Sequence, residues 1–89
     1  MLRKSLPPLH PGEVLREFMA PLGLTAYALA KACQVPRTRI ERIAREEVGI
    51  TADTAIRLGQ YFKTTPEFWM NLQTAVDLWE ARQKLKTAS

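Results

Sequence analysis

The chain has 89 residues, 46% of them hydrophobic, with 13 Lys and Arg against 9 Asp and Glu for a formal charge of +4. That length supports one small domain, the apolar content excludes wholesale disorder, and the basic balance favours an acidic partner. A single cysteine, Cys33, excludes an internal disulfide and a cysteine-rich zinc site, no apolar run is long enough to span a bilayer, and Pro7 and Pro8 interrupt any signal-peptide core.

Residues 1–9 read as a flexible lead with extended Pro-Pro character, residues 10–82 as the folded domain, and residues 83–89 as a frayed polar tail. A first helix is predicted from Pro11 to about Met19, with Val14, Leu15 and Phe18 inward and Pro21 and Gly23 ending it. His10 is the only histidine and has no second ligand type nearby, so it is assigned a structural place at the helix start. Thr25 caps a second helix that runs to about Cys33, whose thiol reads as a small buried apolar group. The N–H groups near Thr25 and Tyr27 could meet a phosphate at the edge of a groove; the equal alternative is that Tyr27 only packs on the surface.

The stretch Ala26 to Ile43 organises the rest. It reads as two short helices and a tight turn, with Leu29 and Ala30 buried on the first helix and Ile40 and Ile43 on the second. Ala30 leaves room for a steep crossing, Val35 fills the turn from beneath, and Pro36 presets the first turn of the next helix. This is the spacing of a helix-turn-helix. At about 100° per residue, burying Ile40 and Ile43 turns Thr38, Glu41, Arg42 and Arg45 outward and sets Arg39 on the flank. Arg37, in the first turn, reaches past the helix end. Four arginines in nine residues suit phosphates and guanine edges. The competing reading is a solvated face steadied by pairs such as Arg37–Glu41.

Glu46-Glu47-Val48-Gly49 then reads as a turn ending in a glycine, which allows positive φ. A fourth helix is capped by Thr51 and runs to about Phe62, with Ala55, Leu58, Tyr61 and Phe62 apolar. Thr65-Pro66 opens a fifth, which carries Phe68, Trp69, Leu72, Ala75, Val76 and Trp79. That stripe is broader than so small a core needs. Phe68, Trp69, Leu72, Val76 and Trp79 are therefore expected to form a homodimer interface, as helix-turn-helix proteins reading paired half-sites require.

Several motifs in this order resemble the HigA-type antitoxins. They are His10-Pro11-Gly12-Glu13-Val14-Leu15, Pro21-Leu22-Gly23-Leu24, Val35-Pro36-Arg37-x-Arg39-Ile40, Gly49-Ile50-Thr51-Ala52-Asp53-Thr54-Ala55 and Thr65-Pro66-Glu67-Phe68-Trp69-Met70-Asn71-Leu72-Gln73. Together they cover about residues 10 to 80. The resemblance implies an all-α, five-helix, lambda-repressor-like domain. It also implies a dimeric repressor that binds double-stranded operator DNA of its own operon and neutralises a RelE-like mRNA endonuclease toxin. By the same resemblance Arg37, Thr38 and Arg42 match the base-facing positions, and Arg39 and Arg45 are better placed for phosphates. Two departures stand out. Gln34 replaces the usual turn glycine and must adopt a left-handed conformation. Glu46 and Glu47 replace a neutral or basic turn, and would repel phosphate if they faced DNA.

The leading expectation is thus a cytoplasmic DNA-binding antitoxin without a cofactor. The alternatives are a stand-alone helix-turn-helix regulator and a toxin-binding protein that has lost operator binding. No Ser/His/Asp or Cys/His set, glycine-rich phosphate loop or paired acids point to an enzyme.

Overall fold

The computed structural model describes residues 6–88. Residues 1–5, the first part of the expected lead, and Ser89 lie outside the described residues. Five α-helices follow in order: α1 (Pro11–Met19), α2 (Ala26–Cys33), α3 (Arg37–Ala44), α4 (Ala52–Phe62) and α5 (Pro66–Ala88), with a single 3-10 turn, Ala20–Leu22, after α1. Among the described residues there is no strand.

Local chemistry sets the helix starts. His10 is the N-cap of α1, its Nδ1 accepting from the Gly12 N–H at 2.9 Å, and Pro11 occupies the first helical position. Thr25, Thr51 and Thr65 play the same part, each Oγ1 accepting from the N–H three residues on. This satisfies amide donors that a helix start otherwise leaves unpaired.

Three turns depend on left-handed residues that are not glycine: Gln34, Glu46 and Lys63, the last closing α4. Gln34 sits at φ 59°, and the Val35 N–H returns to the Ala30 carbonyl at 3.0 Å, which closes α2 and launches α3. That is the conformation the sequence demanded of Gln34. The turn after α3 departs from expectation: the positive φ falls on Glu46, at 63°, and Gly49 does not share it. Gly49 is needed for space instead. A Cβ there would lie 2.5 Å from Gln73 Oε1, and the Gln73 amide is held in place. It accepts from the Ile50 N–H at 2.7 Å and donates to Asp77 at 2.9 Å.

The core joins all five helices. Leu15, Leu29, Ile40, Leu58 and Trp69 are fully buried, and Phe18, Phe62 and Phe68 surround the Trp69 indole with ring centroids 5.1–6.2 Å apart. The Trp69 Nε1–H donates to Thr64 Oγ1 at 2.8 Å. At Gly12, α1 comes so close to α3 that a Cβ would sit 1.9 Å from the Ile43 carbonyl oxygen. Arg16, one turn along α1, reaches the end of α3, donating to the Ala44 carbonyl and pairing with Glu46 at 3.1 Å.

Helix α5 corrects two sequence expectations. It stays helical to Ala88, through the tail expected to fray from residue 83, because Glu80 to Ala88 contains good helix formers and no glycine or proline. Its expected dimer stripe is also divided. Trp69 is wholly inside the protomer and cannot reach a partner, Val76 is buried, and Leu72 packs against the core. The exposed large apolar residues of α5 are Phe68, Leu78 and Leu85. Leu78 and Leu85 lie close to 180° around the helix from Trp69 at about 100° per residue. Trp79 is half-buried on the flank, and its Nε1 has no hydrogen-bond partner among the described residues.

Candidate nucleic-acid interface

Helix α3 buries Ile40 and Ile43 and turns the remainder of its surface outward. Pro36 is its N-cap without any side-chain bond to the helix start, so the first turn stays open at the surface. Arg37, Thr38, Arg42 and Arg45 are exposed, and Arg39 is half-exposed on the flank. Arg45 itself lies just past the helix, as its C-cap.

Thr38, Arg39 and Arg42 line one side of a groove of about 680 Å³, with Val48, Gly49 and Thr51 on the other. Arg37 and Arg45 do not line it, and neither do Thr25, the N-cap of α2, and Tyr27 on that helix. Tyr27 is exposed with Lys31 Nζ 5.8 Å from its ring centroid. The Thr25 hydroxyl oxygen is occupied as the cap of α2.

Acids accompany each of these arginines. Arg37 Nε lies 3.5 Å from Glu41 Oε2, and Arg39 Nη1 lies 3.4 Å from Asp53 Oδ2. Glu47 stands between two, with Oε1 3.8 Å from Arg42 Nε and Oε2 3.9 Å from Arg45 Nη1. Pairs this exposed contribute about 0–1 kcal/mol each, so a phosphate or a base edge can replace the carboxylate. The two acids that the sequence set side by side part company. Glu46 turns back to Arg16 on α1, and only Glu47 stays beside the arginines.

Sequence reasoning missed Asp53 and Arg57. Asp53 bridges Arg39 and Arg57, the latter at 3.0 Å. Arg57 Nη1 also donates to the Cys33 carbonyl at 2.9 Å, tying the end of α2 to α4. The Asp53/Arg57 spacing of four was visible as a helical pair, but nothing local revealed the reach to α2 and α3. Burial pushes the Cys33 thiol pKa up, with the Arg57 charge opposing the shift.

The sequence pattern of the helix-turn-helix family matches residues 15–69. Antitoxin HigA-1 of Vibrio cholerae is 44% identical over 78 residues, which span 86% of this chain and 73% of the relative. The chain belongs to the HigA-type antitoxins of the helix-turn-helix family. Virulence-associated protein I of Dichelobacter nodosus is 52% identical over 82 residues, 91% of this chain and 76% of that protein. The solved structure of the Pseudomonas aeruginosa antitoxin HigA with the higBA promoter superposes with a TM-score of 0.87 at 45% identity, covering 91% of this chain and 89% of that one. In this HigA-type chain the helix-turn-helix comprises α2, the Gln34 turn and α3, the elements that bring Thr38, Arg39 and Arg42 to one groove. Among the described residues no helix is long and apolar enough to cross a membrane.

Proposed function

We propose that this HigA-type antitoxin binds double-stranded operator DNA of its own operon through α3, as a homodimer, and neutralises a RelE-like mRNA endonuclease toxin in the cytoplasm. It is a binding protein and repressor rather than an enzyme. The observation that carries the DNA reading is the outward face of α3, where Arg37, Thr38 and Arg42 project from a helix anchored by Ile40 and Ile43. A guanidinium there can bridge guanine O6 and N7, while Arg39 and Arg45, with Thr25 and Tyr27 on α2, are placed for phosphates. A relative solved with its promoter supports the same use of the fold.

The dimer reading draws on α5. Leu78 and Leu85 are an apolar face left exposed among the described residues. A second copy laid along α5 would cover the face and pair two reading heads for a two-fold site.

A second reading, an interaction protein that keeps the fold without operator binding, is favoured by Glu47 beside Arg42 and Arg45. A gel shift with DNA from immediately upstream of the chain's own reading frame, with and without the neighbouring gene product, separates the two. A sequence-selective shift strengthened by that product supports the repressor. No shift at low salt would overturn it.

A further inference from the structure

Arg37 and Arg42 meet their carboxylates through the same atom. In both pairs the nearest nitrogen is Nε, 3.5 Å from Glu41 and 3.8 Å from Glu47. The guanidinium is planar and its donors form a rigid fork, so a carboxylate on the Nε side leaves the terminal nitrogens Nη1 and Nη2 pointing onward. Those two nitrogens can make an end-on bidentate bond to guanine O6 and N7. Arg39 and Arg45 differ, because each meets its acid through the terminal Nη1.

The backbone gives Glu47 a fixed base for this contact. Its N–H donates to the Arg42 carbonyl at 2.9 Å, and the left-handed Glu46 before it is tied to Arg16 of α1 at 3.1 Å. The Glu47 carboxylate is therefore delivered to one side of Arg42, with Arg45 on its other oxygen.

We propose that Glu47 is a positioning residue for base recognition: it holds Arg42 by the Nε side so that the terminal fork faces guanine, and its charge penalises DNA on which that fork finds no partner. Next to any DNA the carboxylate is repelled by phosphates. On the operator, an arginine already oriented for a bidentate bond offsets this, because fewer of its rotamers must be frozen on binding. On other sequences nothing does. Glu47 thus sharpens selectivity while lowering overall affinity. This rests on the reading of α3 as the DNA-contacting helix.

The test titrates wild type, Glu47→Gln, Glu47→Asp and Arg42→Ala against a duplex from the upstream region and a scrambled duplex of equal composition, at two salt concentrations. A good bidentate contact supplies discrimination of roughly tenfold or more. Glu47→Gln should tighten binding to scrambled DNA and lower the ratio of upstream to scrambled affinity by a few-fold, the limit for an exposed ion pair. Glu47→Asp keeps the charge but falls short of Nε, so it should lose selectivity at the base pair where Arg42→Ala loses it. If Glu47→Gln tightens both duplexes by the same factor, or Glu47→Asp behaves as wild type, Glu47 is a repelling charge only and the inference is overturned. If Arg42→Ala itself leaves selectivity intact, the reading of α3 falls and this inference falls with it.

Discussion

Gly12→Ala probes the closest approach in the fold. The added Cβ would sit 1.9 Å from the Ile43 carbonyl oxygen and 3.0 Å from its carbon. Neither atom belongs to a side chain that can rotate away, so α1 or the end of α3 must move by more than 1 Å (roughly, against the ordinary carbon contact of about 3.5 Å). Overpacking costs typically about 1–3 kcal/mol, and a backbone clash belongs at the upper end. Better helix propensity returns at most about 1 kcal/mol. For a domain this small each kcal/mol shifts Tm by about 4–8 °C, so a net loss of about 2 kcal/mol lowers it by roughly 8–16 °C. Thermal unfolding followed by circular dichroism at one fixed protein concentration measures this. Gly23→Ala is the internal comparison: nothing lies within 4 Å of its Cβ, and only the φ of 59° opposes the change. It should cost about 1 kcal/mol. A Gly12→Ala protein as stable as wild type, or less affected than Gly23→Ala, would refute the claim that the α1–α3 contact requires glycine.

Trp69→Ala should unfold the protomer rather than only dissociate a dimer, since the indole is wholly internal; the loss is about 3–5 kcal/mol in denaturant titration. Leu78→Ser with Leu85→Ser should do the reverse, leaving the helical signal intact while sedimentation shifts from dimer to monomer; an unchanged sedimentation coefficient would remove this face from the interface. Arg37→Ala should cost about 1–3 kcal/mol on the upstream duplex and relax preference at one base pair, whereas Arg39→Ala should weaken all DNA alike and flatten the salt dependence. Cys33 should resist alkylation until the domain opens. Its thiol pKa is raised in the folded state by burial, so its contribution to stability is fully present below the unfolded thiol value, about 8.5, and is lost as pH rises through the folded value. The gap in unfolding midpoint between wild type and Cys33→Ala should narrow as pH rises through that range.

The sequence by itself determined the helices, because a helix start is a local event. Pro11, the threonines at 25, 51 and 65, and Pro66 act within three or four residues of themselves, and the observed starts fall where those residues place them. The left-handed Gln34 was legible only through the family resemblance, which puts a turn glycine at that position. The outward face of α3 followed from Ile40 and Ile43 through the helical period alone. Tertiary structure decided what depends on residues far apart in the chain. Glu46 and Glu47 are neighbours in sequence, yet Arg16, thirty positions from Glu46, draws only the first away. Positive φ falls on Glu46, where it lets the Glu47 N–H close on the Arg42 carbonyl, while Gly49 is required by the Gln73 amide packed against it. Along α5 the 3.6-residue period showed an apolar stripe but not which helices would cover it. The Thr64 hydroxyl and three phenylalanines claim Trp69 for the core, and among the described residues Leu78 and Leu85 stay exposed. Periodicity is a property of one helix, whereas burial is a property of what packs against it.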